Sequence, residues 1–346
     1  MRILRKKLSV LLIGSSAATS IELMYLRAFK SSGYKNVHLL DIKKSFYFFQ
    51  NKFLRKSLKF FESLYFKFRL INFFKKKKNN FKVIIIFKGK EISFKTLEKI
   101  KKNNSNVIFI NINPDDPFNP DKNISDSNVI KSIKLYDLYF VWSKRIYYKL
   151  LRSKYNNIRY LPFGFDHTFH NLRQNKKKKI FKHILFIGSW DKNREFLLNK
   201  LGKFNIKIYG TGWNNASRKI KTNKNIFISY KEASPSRCKK EMGRAAVTLN
   251  ILRKQNRTSH NMKTFEIPGM GGLMLTERSY EQNNFFPENK SSLMYTGLKE
   301  LKKKILYAYN NKYVSNIRIA GSYAIKKNYY KNRVNFILDE LWKLKK

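Results

Sequence analysis

Along the chain, short unbroken apolar runs bounded by Gly, Ser, Asn or Pro alternate with stretches whose apolar positions recur every three or four residues. In the first half the runs fall at residues 9–13, 37–40, 83–87, 107–110, 138–142 and 158–161, with helices predicted at 19–32, 93–103 and 144–155. Runs that are apolar at consecutive positions suit strands covered on both faces, as in a parallel sheet flanked by helices. A second series follows, with strands at 183–188, 206–209, 226–229, 247–251 and 272–276 and helices at 191–201, 235–244, 261–269 and 298–310. Alternation of this kind predicts an α/β chain of two Rossmann-like halves. The Lys-rich stretch 170–179 has the composition of a linker between them. A last helix over 323–344 has no strand after it and is free to pack back onto the first half. The expected organisation is therefore a first domain at 1–168, a second at 180–322 and a returning helix at 323–346.

Two segments admit two readings. Arg2, Arg5, Lys6 and Lys7 before an apolar stretch imitate a short secretory signal, but Leu8 to Ile13 running into Gly14-Ser15-Ser16 reads better as a buried strand. Between Phe53 and Phe74, Leu54, Leu58, Phe61, Tyr65 and Phe68 recur at helical spacing, and Lys75 to Lys78 follow. A basic amphipathic segment over 53–78 can lie in an anionic bilayer interface, or it can be a domain helix with a solvated basic face. No stretch approaches the ~20 apolar residues of a membrane-spanning helix.

Composition narrows the class. With 29 Phe and 20 Tyr among 346 residues the chain has the apolar material for folded cores, which excludes intrinsic disorder. One cysteine, Cys238, excludes an internal disulfide, and no Cys and His spacing suits zinc, so a cytoplasmic chain without structural metal is expected. The formal charge of +52 invites a nucleic-acid reading. Part of that excess accompanies the Lys, Asn, Ile, Phe and Tyr richness of AT-rich coding; the rest implies an anionic partner. The basic residues are spread along the chain and no nucleic-acid motif is present, so a nucleotide or an anionic membrane surface is the expected partner.

Ligands of doubly wound sheets bind where strand C-termini and helix N-termini meet. Here those places are Gly14-Ser15-Ser16, Gly188-Ser189-Trp190, Gly210-Thr211-Gly212-Trp213 and the basic loop 252–261. Asp115 and Asp116, after the fourth strand, are candidates for a general base or for turn caps. His167 and His170 are read as structural.

The stretch LNILRKQNRTSHNMKTFEIPGMGGLMLTE at 249–277 reads as strand, basic loop, short helix and glycine turn into another strand. It resembles the signature of the CgeB-like glycosyltransferases, within the GT-B group related to glycosyltransferase family 1 domains. NPDDPFNP (113–120), YDLYFVWSK (136–144), LPFGFDHTFH (161–170), ILFIGSWDKNRE (184–195) and IYGTGW (208–213) keep that family's order. The resemblance implies a GT-B fold, two Rossmann-like domains facing a central cleft, with a nucleotide-diphosphate sugar on the second domain and a glycan or lipid-linked acceptor approaching the first. It also implies catalysis without metal or other cofactor, the diphosphate being neutralised by the protein. The implied donor-binding residues are Gly188, Ser189 and Arg194, then Gly210, Gly212 and Trp213, then Arg253, Asn256, Arg257, His260, Asn261, Lys263 and Glu266. Asp115 and Asp116 are the catalytic candidates. Two positions depart from the family pattern: Lys263 stands where Arg is usual, and Thr258 stands where retaining relatives carry a second acid, eight residues before Glu266. Anomeric stereochemistry does not carry over, and a non-catalytic basic protein that binds nucleotide sugars, or else nucleic acid or a membrane surface, is the alternative.

Overall fold

The structure is a computed structural model that describes residues 8–41, 59–76, 80–121, 124–169 and 179–344. The chain divides into two compact units, one made of 1–162 with 330–346 and the other of 163–329.

The first unit is a six-stranded parallel sheet. Its strands are β1 (Val10–Gly14), β2 (Val37–Asp41), β3 (Val83–Phe87), β4 (Ile108–Asn113), β5 (Leu138–Val141) and β6 (Ile158–Tyr160), in the order β2-β1-β3-β4-β5-β6. Helices α1 (Ile21–Ser31), α2 (Lys59–Lys76), α3 (Phe94–Lys102), α4 (Ser127–Ser132) and α5 (Lys144–Arg152) connect them. Every residue of β3 is buried, as its unbroken Val-Ile-Ile-Ile-Phe run requires of a strand with helices on both faces. Ser20 caps α1 by accepting a hydrogen bond from the Leu23 amide, and Ser93 caps α3 from the Thr96 amide.

The second unit opens with β7 (Phe181–Ile187), α6 (Lys192–Lys200), β8 (Ile206–Tyr209), α7 (Arg218–Lys221), β9 (Ile226–Ser229) and α8 (Pro235–Met242). It continues with β10 (Ala245–Asn250), α9 (Lys263–Gly269), β11 (Met274–Glu277), α10 (Tyr280–Phe285), β12 (Leu293–Tyr295), α11 (Gly297–Asn310) and α12 (Val314–Ala324). The six strands are parallel in the order β12-β11-β10-β7-β8-β9. The chain therefore runs outward from β7 in one direction, crosses back, and runs outward from β10 in the other. The strand order reverses between β7 and β10, where the C-terminal ends of neighbouring strands feed loops that diverge. Ile184, Phe186, Val247, Leu249 and Trp213 form the core beneath that point.

After α12 the chain returns to the first unit as α13 (Tyr330–Lys343), which packs on α1 with Tyr25 and Tyr330 edge to face at 5.0 Å. The returning helix is shorter than the 323–344 expected from the pattern, because a 3-10 turn at Ile325–Asn328 and an extended Tyr329 separate it from α12.

Two further expectations are corrected. The second sheet has a sixth strand, β12, of only three residues. In α2 the buried stripe is Phe66, Leu70 and Phe74, whereas Tyr65 and Phe68, assigned to the apolar side, are 42% and 67% exposed. The stripe that packs is set by contact with α3, and four-residue spacing puts 66, 70 and 74 on one face. The proposed segment at 53–58 and 77–78, the linker at 170–178 and the N-terminal basic residues lie outside the described residues. None of the helices among the described residues is long and apolar enough to cross a membrane.

Candidate functional site

The reversal between β7 and β10 gathers most of the sequence-predicted site. Gly188-Ser189-Trp190 leaves β7 and is braced from below: the Gly188 amide donates to Tyr209 O at 2.9 Å, and Trp190 N to Thr211 O at 2.9 Å. Gly210 explains itself by proximity, since a Cβ there would lie 2.1 Å from the Gly188 carbonyl oxygen. Gly212 adopts a left-handed φ of 79°. Trp213 is fully buried and its indole N–H donates to Gly188 O at 3.0 Å. These three residues thus support the 188–190 loop, and the Trp213 side chain is not at the open edge.

Asp191 caps α6 by accepting from the Arg194 amide. One turn in, the Arg194 guanidinium donates from Nη1 to Ser189 O at 2.8 Å and from Nη2 to Ile251 O at 3.3 Å. One side chain therefore ties the end of β7 to the end of β10. Burial pulls its pKa down to about 10 and Arg253 adds to that, while Asp191 and Glu277 oppose it. Arg253 is exposed, and its Nη2 donates to Ser189 Oγ at 2.7 Å. Two guanidinium groups, one from α6 and one from the 252–261 loop, thus bracket Ser189, and such paired, rigid cations recognise phosphate oxygens.

The 252–261 loop continues the site. Asn256 is buried and its Oδ1 makes no hydrogen bond within the protein, while Arg257 is exposed beside it. Asn261 accepts from Thr264 N at 3.1 Å and donates to Asn250 Oδ1 at 2.9 Å, anchoring the start of α9 to the end of β10. Lys263 in the first turn of α9 pairs with Glu266. Burial works against the Lys263 charge, but Glu266 outweighs it and holds the ammonium pKa above its usual value. His260 is turned inward: Nε2 accepts from Phe163 N at 3.2 Å, which leaves the proton on Nδ1 for Glu281 at 2.9 Å. Its ring lies within 5.6 Å of Phe163, Phe265 and Phe285, so it is not brought to the open edge with Arg253.

Sequence reasoning missed Glu277. It ends β11, where its Cα partner across the sheet is Tyr295, whose enclosed hydroxyl makes no hydrogen bond. Burial raises the Glu277 pKa, with Arg257 and Arg194 pulling the other way. The predicted strand stopped at 276, one residue short. The signal available was that Glu277 is the last residue of a strand adjacent to β10.

In the first unit the equivalent glycine turn is already filled. Ser15 N donates to Glu22 Oε1 at 3.0 Å and Ser16 N to Asp41 Oδ2 at 2.8 Å. The protein's own carboxylates take the amides that would hold a phosphate, which sets this turn apart from the cation-lined one. Asp115 is paired with Lys88 at 2.7 Å. Asp116 is buried, paired with Arg145 at 2.6 Å, and caps the following turn by accepting from Phe118 N. His167 stacks on Tyr329 at 4.5 Å, and His170 lies outside the described residues. No three His, Cys, Asp or Glu side chains among the described residues come together as a metal site would require.

Known proteins share the two-domain fold. Residues 192–339 match the family model described as glycosyl transferase-like. No curated protein matches the sequence. Among solved structures, sucrose-phosphate synthase from Thermosynechococcus elongatus is similar over 97% of this chain and 100% of its own, with 11% identity and a TM-score of 0.69. Anabaena HepE, solved in complex with UDP-glucose, covers 96% of this chain and 99% of its own at 10% identity and a TM-score of 0.66. The apo structure of OtsA covers 96% and 99% at 11% identity and a TM-score of 0.68. The shared fold is GT-B, two Rossmann-like domains in one chain.

Proposed function

We propose that this chain is a glycosyltransferase that takes a sugar from a nucleoside diphosphate carrier bound at the β7/β10 reversal and delivers it to a glycan or lipid-linked acceptor. The observation that carries the reading is the pair of guanidinium groups on Ser189, Arg194 through its carbonyl and Arg253 through its hydroxyl. The glycosyl transferase-like match over 192–339 includes Arg194 and the 252–261 loop, and starts just after the 188–190 loop. The UDP-glucose held by the HepE structure supports the donor class.

In the transfer, an acceptor hydroxyl oxygen bonds to the anomeric carbon, and the bond from that carbon to the diphosphate oxygen breaks with its electron pair. Negative charge grows on the leaving diphosphate. Arg194, Arg253 and Lys263 neutralise it there, in place of a metal ion. Glu266, paired with Lys263 through one oxygen, is the proposed acceptor of ribose hydroxyls, and the Asn256 Oδ1 is a further acceptor in the same loop. Asp115 is the proposed base for the acceptor proton, with Lys88 holding it in place. Asp116 already caps a turn and pairs with Arg145, and its proposed part is to fix that loop.

An anionic membrane surface is the second part of the reading, supported by exposed Tyr65 and Phe68 beside exposed Lys67, Lys75 and Lys76 on α2. Aromatic rings with neighbouring cations suit an acidic headgroup layer. The experiment for the donor reading is thermal unfolding with a panel of nucleoside diphosphates. A ligand at ~100 times its Kd adds roughly 2.7 kcal/mol. No shift with any nucleotide contradicts the reading.

A further inference from the structure

The first unit carries a cavity of about 470 Å³ that the donor reading does not use, lined by α5, the end of β6 and α13. β6 pairs with β5 through Val141 and Tyr160, so the cavity opens at the C-terminal end of these two strands, where doubly wound sheets take ligands.

Its chemistry has two parts. Three cationic side chains line it, Lys144, Arg159 and Arg333, and its lining includes no carboxylate. Arg159 is fixed by Glu340 behind it and by the carbonyls of Asn156 and Ile158. Arg333 is fixed through Nε, which donates to Pro162 O at 3.0 Å, and burial lowers its pKa while Tyr25, Tyr160 and Tyr330 oppose the fall. The second part is aromatic. Tyr147 and Tyr148 meet edge to face at 5.2 Å, Lys144 Nζ lies 5.8 Å from the Tyr160 ring centre, and Phe336 closes another side. Tyr148 is 54% exposed at the mouth.

Cations held in place recognise a phosphate or carboxylate. Tyrosine rings cover the apolar C–H face of a pyranose, and their hydroxyls serve its hydroxyl groups. A bare phosphate would use only the cations and a neutral sugar only the rings. The volume falls within the ~300–1,000 Å³ of small-molecule sites.

We propose that this cavity binds a sugar unit bearing a phosphate or carboxylate, and that this unit belongs to the acceptor. The acceptor role rests on the glycosyltransferase reading; the binding chemistry does not. Its occupancy would place an anionic glycan on the first unit while the donor occupies the second.

The test is calorimetric titration of the full chain at low salt with glucose 6-phosphate, glucuronate, glucose and inorganic phosphate, with UDP, GDP, ADP and dTDP titrated into the same samples. Both sugar anions are expected to bind ~10-fold tighter than glucose or phosphate, since each of those lacks one set of contacts worth about 1.4 kcal/mol. Lys144→Ala and Tyr148→Ala, at half-buried and exposed positions, should each weaken them ~3- to 10-fold and leave UDP affinity unchanged. Arg333→Gln should weaken them further. Equal binding of all four ligands, or sugar-anion binding unaltered by both alanine variants, overturns the proposal. Sugar-anion binding without binding of any of the four nucleotides overturns the donor reading and with it the acceptor role, while the cavity's specificity stands.

Discussion

Arg194 donates to the backbone carbonyls of Ser189 and Ile251, so a single buried guanidinium joins the two loops that diverge at the centre of the second sheet. Its planar fork has donors on separate nitrogens, which a lysine ammonium on a thinner stem cannot place on both carbonyls at once. Arg194→Lys should therefore cost about 1 to 3 kcal/mol of stability, since a buried carbonyl loses its partner. The variant should also lose nucleotide affinity. Chemical denaturation and nucleotide titration of the same variant check both effects.

Arg253 should behave differently. It is exposed, and its one hydrogen bond among the described residues is to the Ser189 hydroxyl. Arg253→Ala should leave the unfolding midpoint nearly unchanged and weaken nucleoside diphosphate binding by about 1.5 to 3 kcal/mol, one to two decades. A variant with full affinity would remove Arg253 from the site.

Glu277 offers a pH-dependent contrast. Burial raises its folded-state pKa above the unfolded value, so the folded chain pays for its charge once pH exceeds that folded pKa, and nothing below the unfolded pKa. Glu277→Gln should match the parent near pH 4 and become more stable than the parent toward pH 8. Melting temperatures across that range read the difference directly.

Arg278 forms a surface network with the opposite sign. It donates to Glu288 and to Glu300 through two nitrogens each, and Glu288 also pairs with Lys304 at 3.0 Å. The Arg278 hydrogen bonds hold the Glu300 carboxyl down at about 2 and lower Glu288 as well. Depressed carboxyl pKa values add stability above their unfolded values, and it is lost as pH falls from about 4.5 toward 2. The group is partly exposed, so solvent screens it; the effect should be small and should shrink further in 1 M salt. Arg278→Ala should remove the acid-dependent part, measured as a smaller melting-temperature drop between pH 6 and pH 3.

The exposed aromatic pair on α2 makes the membrane part testable. Each basic residue near an anionic bilayer contributes ~1 kcal/mol, and screening makes that binding salt-sensitive. Tyr65→Ser with Phe68→Ser should reduce cosedimentation with anionic vesicles while Phe66, Leu70 and Phe74 keep the helix packed. Equal sedimentation of parent and variant would leave α2 as a domain helix with a solvated basic face.

The fold was legible where burial on both faces leaves a mark on the chain, as in the unbroken apolar run of β3. β12 was not, because three residues between serines and a threonine carry too little periodicity to stand out. In α2 the aromatic residues surround the helix, and only packing on α3 decided which stripe is buried. The loops of the candidate site were readable from strand ends and glycines, but the direction of each side chain was not. Trp213 and His260 face inward because tertiary partners, Gly188 O for one and Phe163 and Glu281 for the other, complete their hydrogen bonds. Gly210 looks like a ligand cradle in sequence, yet the backbone of Gly188 occupies the space its missing side chain leaves.

The central claim is that a nucleoside diphosphate sits at the β7/β10 reversal. Amide hydrogen exchange of the full chain, with and without the tightest binder among UDP, GDP, ADP and dTDP, measures this most directly. The account predicts added protection in 188–194 and 252–266, absent in Arg253→Ala at the same nucleotide concentration, with no change at the carboxylate-filled turn 14–16. Protection confined to the first unit, or none with any of the four nucleotides at millimolar concentration, would contradict it.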